Sequence, residues 1–206
     1  TGGDGTDTVQ SSISFSLADS VHAIGSLENL TLTGTAAINA TGNDLGNVLI
    51  GNSGANVLIG GAGTDSLDGG GGVDTASYAA STSGVAVSLA TGIGSGGDAQ
   101  GDTLANIENL TGSSSDDTLE GNTGNNILAG GTNGAAGDTV SYAHAASGAN
   151  GVGVTVNLAT TTAQNTVTAG SDTLSGFENV TGSQFNDTLT GTTAANVLIG
   201  LGGNDL

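Results

Sequence analysis

Aspartate or asparagine recurs every nine residues along much of the chain, with glycine shortly before it and an apolar residue two positions after it. The clearest run consists of Asn47, Asn56, Asp65 and Asp74. A carboxylate or amide at a fixed place in each turn of a coiled chain would form a row of oxygen ligands along the coil axis. Hard cations bind such rows, and Ca²⁺ accepts about six to eight oxygens at roughly 2.3–2.6 Å in irregular geometry. The spacing therefore predicts calcium as the bound ion.

The elements that would position these side chains are short strands joined by glycine-rich turns. A nine-residue period with one apolar residue per repeat describes flat coils, in which turns need positive φ and each strand buries one side chain. If one coil uses two nonapeptides, equivalent residues of successive coils stack on one edge at roughly 4.8 Å. We therefore predict an all-β parallel β-roll, or β-solenoid, with calcium-binding Gly/Asp turns and a thin aliphatic core.

The candidate metal ligands are the acidic and amide residues that occupy this repeated turn position. They are Asp7, Asn47, Asn56, Asp65, Asp74, Glu108, Asp117, Asn126, Asp138, Glu178, Asp187, Asn196 and Asp205. Five pairs should stack on one edge, namely Asn47 with Asp65, Asn56 with Asp74, Glu108 with Asn126, Glu178 with Asn196, and Asp187 with Asp205. The last pair alone offers two short carboxylates, so we expect it to bind calcium most strongly.

Two features complicate this ligand set. Asp117 should pair with Asp138, but three extra residues in the turn before Asp138 require a bulge there. Asparagine keeps one ligand oxygen and loses the charge, and stacked asparagines can form a neutral hydrogen-bonded ladder without metal. Both the metal-bound and the metal-free interpretation therefore stay open for the four asparagines.

Composition favours a cation-binding chain and excludes several partners. The 206 residues include 19 Asp plus Glu and no Lys or Arg, which gives a formal charge of −19. We expect no salt bridges, and self-repulsion that bound cations would relieve. Nucleic acid is excluded as a partner because phosphate needs basic residues, and no segment is apolar enough for direct membrane insertion. With 39 glycines, the most Gly-rich stretches are expected to be disordered without calcium.

A longer period of about 70 residues organises the nonapeptides. It predicts one elongated domain, residues 1–206, with three units at approximately 1–68, 69–130 and 131–206, cut from a longer array. Each unit contains a segment of alternating apolar residues that predicts a strand, at 12–19, 85–91 and 152–160. In the first of these, the alternation places Ile13, Phe15 and Leu17 on one buried face.

Residues 2–10, 60–68 and 69–77 resemble the haemolysin-type, or RTX, calcium repeat, G-G-x-G-x-D-x-U-x. The resemblance implies a parallel β-roll that folds on calcium after export through a type I secretion channel of a Gram-negative bacterium. It also implies a secreted, extracellular or cell-surface location. Residues 51–56 and 191–196 depart from the full glycine set, so calcium occupancy should be patchy.

Two classes of function follow. The first is a non-catalytic extracellular calcium-binding structural region, such as an adhesin stalk, surface-layer segment or filament segment, which folds and rigidifies on calcium after secretion. The alternative is a C-terminal calcium-dependent secretion and folding module of a secreted enzyme or toxin. His22 and His144 lie in different units and no hydrolase motif is present, so we predict no enzymatic activity. Expected partners are calcium ions, and either further copies, stacked end to end, or a cell-surface or matrix component.

Overall fold

Successive short strands fall alternately on two sheets, so that the chain advances as a coil. The computed structural model describes residue 3 and residues 5–206; part of the repeat predicted at 2–10, including Gly2 and Asp4, lies outside the described residues. Strands are numbered in chain order. The first sheet contains β1 (Thr8–Ser11), β3 (Asn29–Leu32), β5 (Val48–Ile50), β7 (Ser66–Asp68), β9 (Ala86–Ser88), β10 (Ile93–Ser95), β11 (Thr103–Ala105), β13 (Thr118–Glu120), β15 (Thr139–Ser141), β19 (Asn179–Thr181) and β21 (Leu198–Ile199).

The second sheet faces the first across the core, and a further strand pair adjoins it. The second sheet contains β2 (Phe15–Ser16), β4 (Ala40–Thr41), β6 (Val57–Ile59), β8 (Thr75–Ser77), β12 (Asn109–Thr111), β14 (Ile127–Ala129), β17 (Gln164–Asn165) and β18 (Ser171–Ser175). The pair consists of β16 (Val152–Asn157) and β20 (Asn186–Thr190). Two 3₁₀ turns are present, η1 (Gly97–Ala99) and η2 (Ala149–Gly151).

The coil period is 18 residues, as the repeat predicts. Strands β5 and β7 pair in parallel with Leu49 opposite Leu67, and β12 and β14 pair with Leu110 opposite Leu128. The central residue of each of these strands points inward and is at most 1% exposed. Each aliphatic side chain therefore stacks on its equivalent in the next coil, and the core consists of two such columns, one from each sheet, with further buried residues packed against them.

Three inserts interrupt the coil, and we define them as residues 12–21, 79–101 and 143–170. The second contains β9, β10 and η1, and the third contains η2, β16 and β17. Strand β10 runs antiparallel to both β9 and β11, and β17 runs antiparallel to β18. The parallel β-roll predicted from the sequence is correct for the coils, but these two hairpins are antiparallel, because each insert must return to the coil that it left.

The second and third inserts widen opposite sides of the coil. The second lies in the first sheet between β11 and β13, whereas on the other side β12 pairs directly with β14. The third separates β18 from β20, whereas β19 pairs directly with β21. Five strands, β11 to β15, separate the two inserts, and because strands alternate between the sheets this odd number changes the side.

The strand predicted at residues 12–19 is shorter than its alternation indicates. Leu17 is buried and Phe15 is half-buried, but Ile13 is 67% exposed, so the prediction that it shares their buried face is wrong. The Ser11 hydroxyl donates to the carbonyl of Ile13 at 2.7 Å and accepts the Ile13 N–H at 3.3 Å. This local turn keeps residues 12–14 out of the sheet.

Candidate metal centre

The repeated Asp or Asn position forms an inward-facing ladder. Asn47 N–H donates to Asp65 Oδ1 and Asn56 N–H to Asp74 Oδ1, both at 2.7 Å. Asp187 N–H donates to Asp205 Oδ1 at 3.0 Å. The structure thus brings these three predicted pairs together, and one oxygen of the later carboxylate in each pair joins consecutive coils.

The ladder also crosses the bulged turn before Asp138. Asp117 N–H donates to Asp138 Oδ1 at 2.8 Å, and β13 pairs with β15 in register. The three extra residues therefore bulge outward without breaking the stack. Asp138 N–H in turn donates to Glu178 Oε2 at 3.0 Å. Asp117 and Asp138 are brought together despite the three residues that exceed the nine-residue spacing.

Glutamate takes one ladder position in each longer unit, where it precedes an asparagine. Glu108 Oε2 accepts from Asp74 N–H at 2.7 Å, and Glu28 Oε2 accepts from Asp7 N–H at 2.8 Å. Glu28 is absent from the predicted ligand set, although it stands in the same Glu-Asn-Leu motif as Glu108. The extra methylene lets glutamate reach the N–H that aspartate reaches in other coils.

Four turns, which we call asparagine turns, satisfy their own polar atoms. They are residues 42–47, 51–56, 121–126 and 191–196. In the second, Asn56 Oδ1 accepts from Asn52 N–H at 2.9 Å, and Asn56 Nδ2 donates to the Ile38 carbonyl at 2.5 Å and to Asn52 Oδ1 at 3.1 Å. The amide nitrogen therefore links the turn to a carbonyl of the preceding coil.

The same role is filled in the other asparagine turns. Asn47 Nδ2 donates to the Glu28 carbonyl at 3.1 Å, Asn126 Nδ2 to the Glu108 carbonyl at 2.7 Å, and Asn196 Nδ2 to the Glu178 carbonyl at 2.6 Å. The predicted pairs of Glu108 with Asn126 and of Glu178 with Asn196 are thus joined through a backbone carbonyl and not through the glutamate side chain.

Three other turns, which we call glycine turns, have a different backbone: residues 60–65, 69–74 and the bulged 130–138. Gly61 and Gly63 have φ of +94° and +137°, and Gly70 and Gly72 have φ of +81° and +124°. A Cβ on Gly61 would lie 2.5 Å from the carbonyl oxygen of Asn43. Glycine adopts this conformation most readily, its missing side chain permits the close approach, and the turn is lined by carbonyl oxygens of the preceding coil.

Each glycine turn contains one buried carboxylate oxygen that accepts no hydrogen bond. These atoms are the Oδ2 atoms of Asp65, Asp74 and Asp138. Burial raises the pKa of Asp65 to about 7 and that of Asp138 to about 6, and it also raises the pKa of Asp74. An unpaired buried anion is costly, so these sites require a proton or a cation. Carboxylate and carbonyl oxygens are the donor set that Ca²⁺ prefers, so the residues fit calcium.

Asp187 and Asp117 differ from the aspartates of the glycine turns, because both carboxylate oxygens of each accept hydrogen bonds. Asp187 Oδ1 accepts from Val154 N–H and from the Ser183 hydroxyl, both at 2.7 Å, and its Oδ2 accepts from Ser183 N–H at 2.6 Å. Asp117 makes the equivalent bonds to Val85 and Ser113. The structure therefore does not single out the Asp187–Asp205 pair, because a ranking by carboxylate count alone ignores these donors.

Two ladder carboxylates, Asp102 and Asp172, do not follow the nine-residue spacing of the other ladder positions. Asp102 Oδ1 accepts from Asp65 N–H at 2.8 Å, and Asp172 Oδ1 accepts from Asn126 N–H at 3.0 Å. Both are fully buried, and burial raises the pKa of each. Each follows an insert, so its partner is 37 or 46 residues earlier in the chain. The available signal is the shared spacing to the Glu-Asn motif, with Asp six residues before Glu108 and Glu178.

One buried carboxylate lies outside the ladder. Glu120 Oε2 accepts from the Ser88 hydroxyl at 2.6 Å and lies 2.7 Å from His144 Nδ1. His22 likewise lies 2.7 Å from Asp19 on the surface. The prediction of no salt bridges is therefore wrong for the two histidines when they are protonated. Ser88 donates to Glu120 and not to His144, so the three side chains do not form the chain of hydrogen bonds that activates a serine nucleophile.

Within residues 3 and 5–206, no three His, Asp or Glu side chains converge to hold a metal ion by themselves. The ladder supplies at most one carboxylate per turn, so a bound ion would need further oxygens, such as the backbone carbonyls that line the glycine turns. No helix of this described part is long and apolar enough to cross a membrane.

Comparison with known families identifies the repeat. The model of the RTX calcium-binding nonapeptide repeat matches residues 41–76, 102–133 and 181–206, in four copies. These ranges contain two glycine turns, 60–65 and 69–74, and all four asparagine turns. No curated protein matches the chain.

Proposed function

We propose that this chain, which carries RTX calcium-binding nonapeptide repeats, is a non-catalytic structural region that calcium rigidifies outside the cell. RTX repeats bind Ca²⁺. The observation that carries the proposal is the set of three buried, unpartnered carboxylate oxygens of the glycine turns. Calcium would neutralise these oxygens and draw consecutive coils together through carbonyl ligands.

The ligand set that we propose is narrower than the sequence pattern. Asp65, Asp74 and Asp138 would bind calcium, together with carbonyl oxygens of the facing coil. The four ladder asparagines would instead hold their coils through the amide nitrogen, and Asp117 and Asp187 through the donors that they already have. Exposed Asp205 and the remaining acidic ladder residues would contribute charge and coil-to-coil hydrogen bonds.

Charge supports a role in a calcium-rich environment. The chain has a formal charge of −19 and no Lys or Arg. Repulsion between its carboxylates therefore destabilises the glycine turns where free calcium is scarce. Binding energy at extracellular calcium concentrations then becomes stability of the coil. We propose a secreted or cell-surface location, and a role as one elongated spacer of an adhesin, surface layer or filament.

The test is thermal unfolding and circular dichroism of this chain in chelator, in millimolar calcium and in millimolar magnesium. We expect calcium, and not magnesium, to raise Tm. The D65N/D74N/D138N variant should lose most of that rise, whereas D44N, which changes an exposed carboxylate outside the ladder, should keep it. An unchanged Tm on calcium addition, with no ion bound in calorimetry, would contradict the proposal.

A further inference from the structure

Two ladder carboxylates, Asp102 and Asp172, belong to neither the asparagine turns nor the glycine turns, and a tyrosine hydroxyl donates to each. The Tyr78 hydroxyl donates to Asp102 Oδ2 at 3.0 Å, and the Tyr142 hydroxyl donates to Asp172 Oδ2 at 3.1 Å. Both tyrosines are at most 3% exposed. The second oxygen, which is orphaned in Asp65 and Asp74, thus has a donor here.

The two pairs stand at equivalent places in the fold. Tyr78 is the last residue before the second insert and Asp102 the first after it; Tyr142 is the last residue before the third insert and Asp172 the second after it. One hydrogen bond therefore closes the base of each insert, where the chain leaves the coil and returns to it.

The first insert provides an internal comparison. Ser11 occupies the position of Tyr78, four residues after the ladder aspartate, and His22 occupies the position of Asp102, six residues before the ladder glutamate. The Ser11 hydroxyl bonds locally to Ile13, and the His22 side chain is exposed. Both members of the pair are replaced together, as expected if each residue serves the other.

We propose that the hydroxyls of Tyr78 and Tyr142 stand in for calcium at Asp102 and Asp172, and so decide which coils bind the ion. The inference rests on the proposed function. Tyrosine supplies a neutral donor to the oxygen that would otherwise need a cation, so the coils that carry the second and third inserts close without calcium. Tyr78 and Tyr142 are positioning residues, and the calcium requirement is confined to the glycine turns.

The test is Tyr78→Phe, with Tm measured in chelator and in calcium. Removal of the hydroxyl leaves Asp102 Oδ2 in the state of Asp65 Oδ2. We expect Tm in chelator to fall by roughly 3–8 °C, and the rise on calcium addition to exceed that of the unmodified chain by a similar amount. Tyr142→Phe should shift both values in the same direction but by less, because the Thr166 hydroxyl also donates to Asp172 Oδ2, at 3.5 Å. Y78F/D102N, in which the orphaned oxygen becomes an amide, should return the calcium response to its original size.

A core variant separates this role from a merely structural one. Leu128→Ala opens a cavity beside an asparagine turn and should lower Tm equally in chelator and in calcium. If Tyr78→Phe does the same, or leaves both values unchanged, the proposal is overturned. Should the variant fail to fold in chelator, refolding on calcium addition supports the proposal and failure to refold overturns it. Absence of any calcium response in the unmodified chain counts against the proposed function alone, because the response gained by Tyr78→Phe is measured separately.

Discussion

The turns at residues 51–56 and 69–74 lie on consecutive coils, one above the other, yet they stabilise the coil in different ways. Asn56 and Asp74 have nearly the same shape, and each uses Oδ1 in the ladder or its own turn. The other terminal atom of the side chain differs, being Nδ2 in Asn56 and Oδ2 in Asp74. Asn56 Nδ2 donates to a carbonyl of the preceding coil, whereas Asp74 Oδ2 is buried without a donor. The need for calcium thus depends on a single atom at the head of one side chain.

The backbone conformation of the two turns also differs, and each conformation suits the side chain that it surrounds. In the asparagine turn the N–H of Asn52 points to Asn56, while in the glycine turn Gly70 and Gly72 adopt positive φ and no N–H reaches Asp74 Oδ2. The asparagine turn is therefore complete in itself. The glycine turn leaves oxygens facing an anion, and this arrangement becomes favourable only when a cation lies between them.

Asn56→Asp should cause the largest loss of stability, because it places the side chain of a glycine turn in an asparagine turn. It replaces a donor by a buried anion facing the Ile38 carbonyl, in a backbone that lacks the two positive-φ glycines. We expect a loss of about 3–5 kcal/mol in the free energy of unfolding in chelator, measured by urea denaturation. Calcium should restore only part of it, and full restoration would show that the glycines are not needed for binding.

Gly72→Ala should disrupt the glycine turn through its backbone. Gly72 has φ of +124°, and its Cβ would lie 2.9 Å from the Gly54 carbonyl oxygen. A loss of about 1–3 kcal/mol is expected, together with weaker calcium binding by calorimetry. Gly71→Ala is the matched control, because its Cβ would meet nothing closer than 3.8 Å. Equal effects of the two substitutions would contradict the assignment.

Asp65→Asn should convert a glycine turn towards the asparagine type. The unpartnered oxygen becomes an amide, so the free energy of unfolding in chelator should rise by about 1 kcal/mol while the calcium-induced stabilisation falls. Urea denaturation with and without calcium measures both changes. A decrease in chelator would mean that the buried Oδ2 is already favourably placed.

The smallest expected effect is a pH dependence confined to the calcium-free chain. Burial raises the pKa of Asp65 to about 7 and that of Asp138 to about 6, from 3.8. The folded state therefore holds protons that the unfolded state has lost. This contribution to stability is full below about pH 4 and is lost as the pH rises through 6 and 7. Tm should decline across that range without calcium, more weakly with it, and more weakly in Asp65→Asn.

The coil was predictable because its signal is local. Leucines nine residues apart predict buried positions that alternate between the two sheets, and the parallel stacking of residues 18 apart follows from them. The antiparallel hairpins were not predictable, since alternation of apolar residues is the same in parallel and antiparallel strands. Asp102 and Asp172 were missed because inserts place their ladder partners far away in sequence. That the Asp187–Asp205 pair binds calcium most strongly stays a prediction; it rests on the number of carboxylates and leaves out donors such as Ser183, which only the folded turn brings close.

The odd number of strands between the second and third inserts has a mechanical consequence. Each hairpin adds two strands to one side of the coil alone, which is a wedge of roughly 10 Å. Because the parity is odd, successive wedges open in opposite directions, and the deflection made by one is cancelled by the next. An array of such units would remain a straight rod whose hairpins project alternately left and right. One strand more or fewer per unit would add the deflections together and bend the rod into an arc.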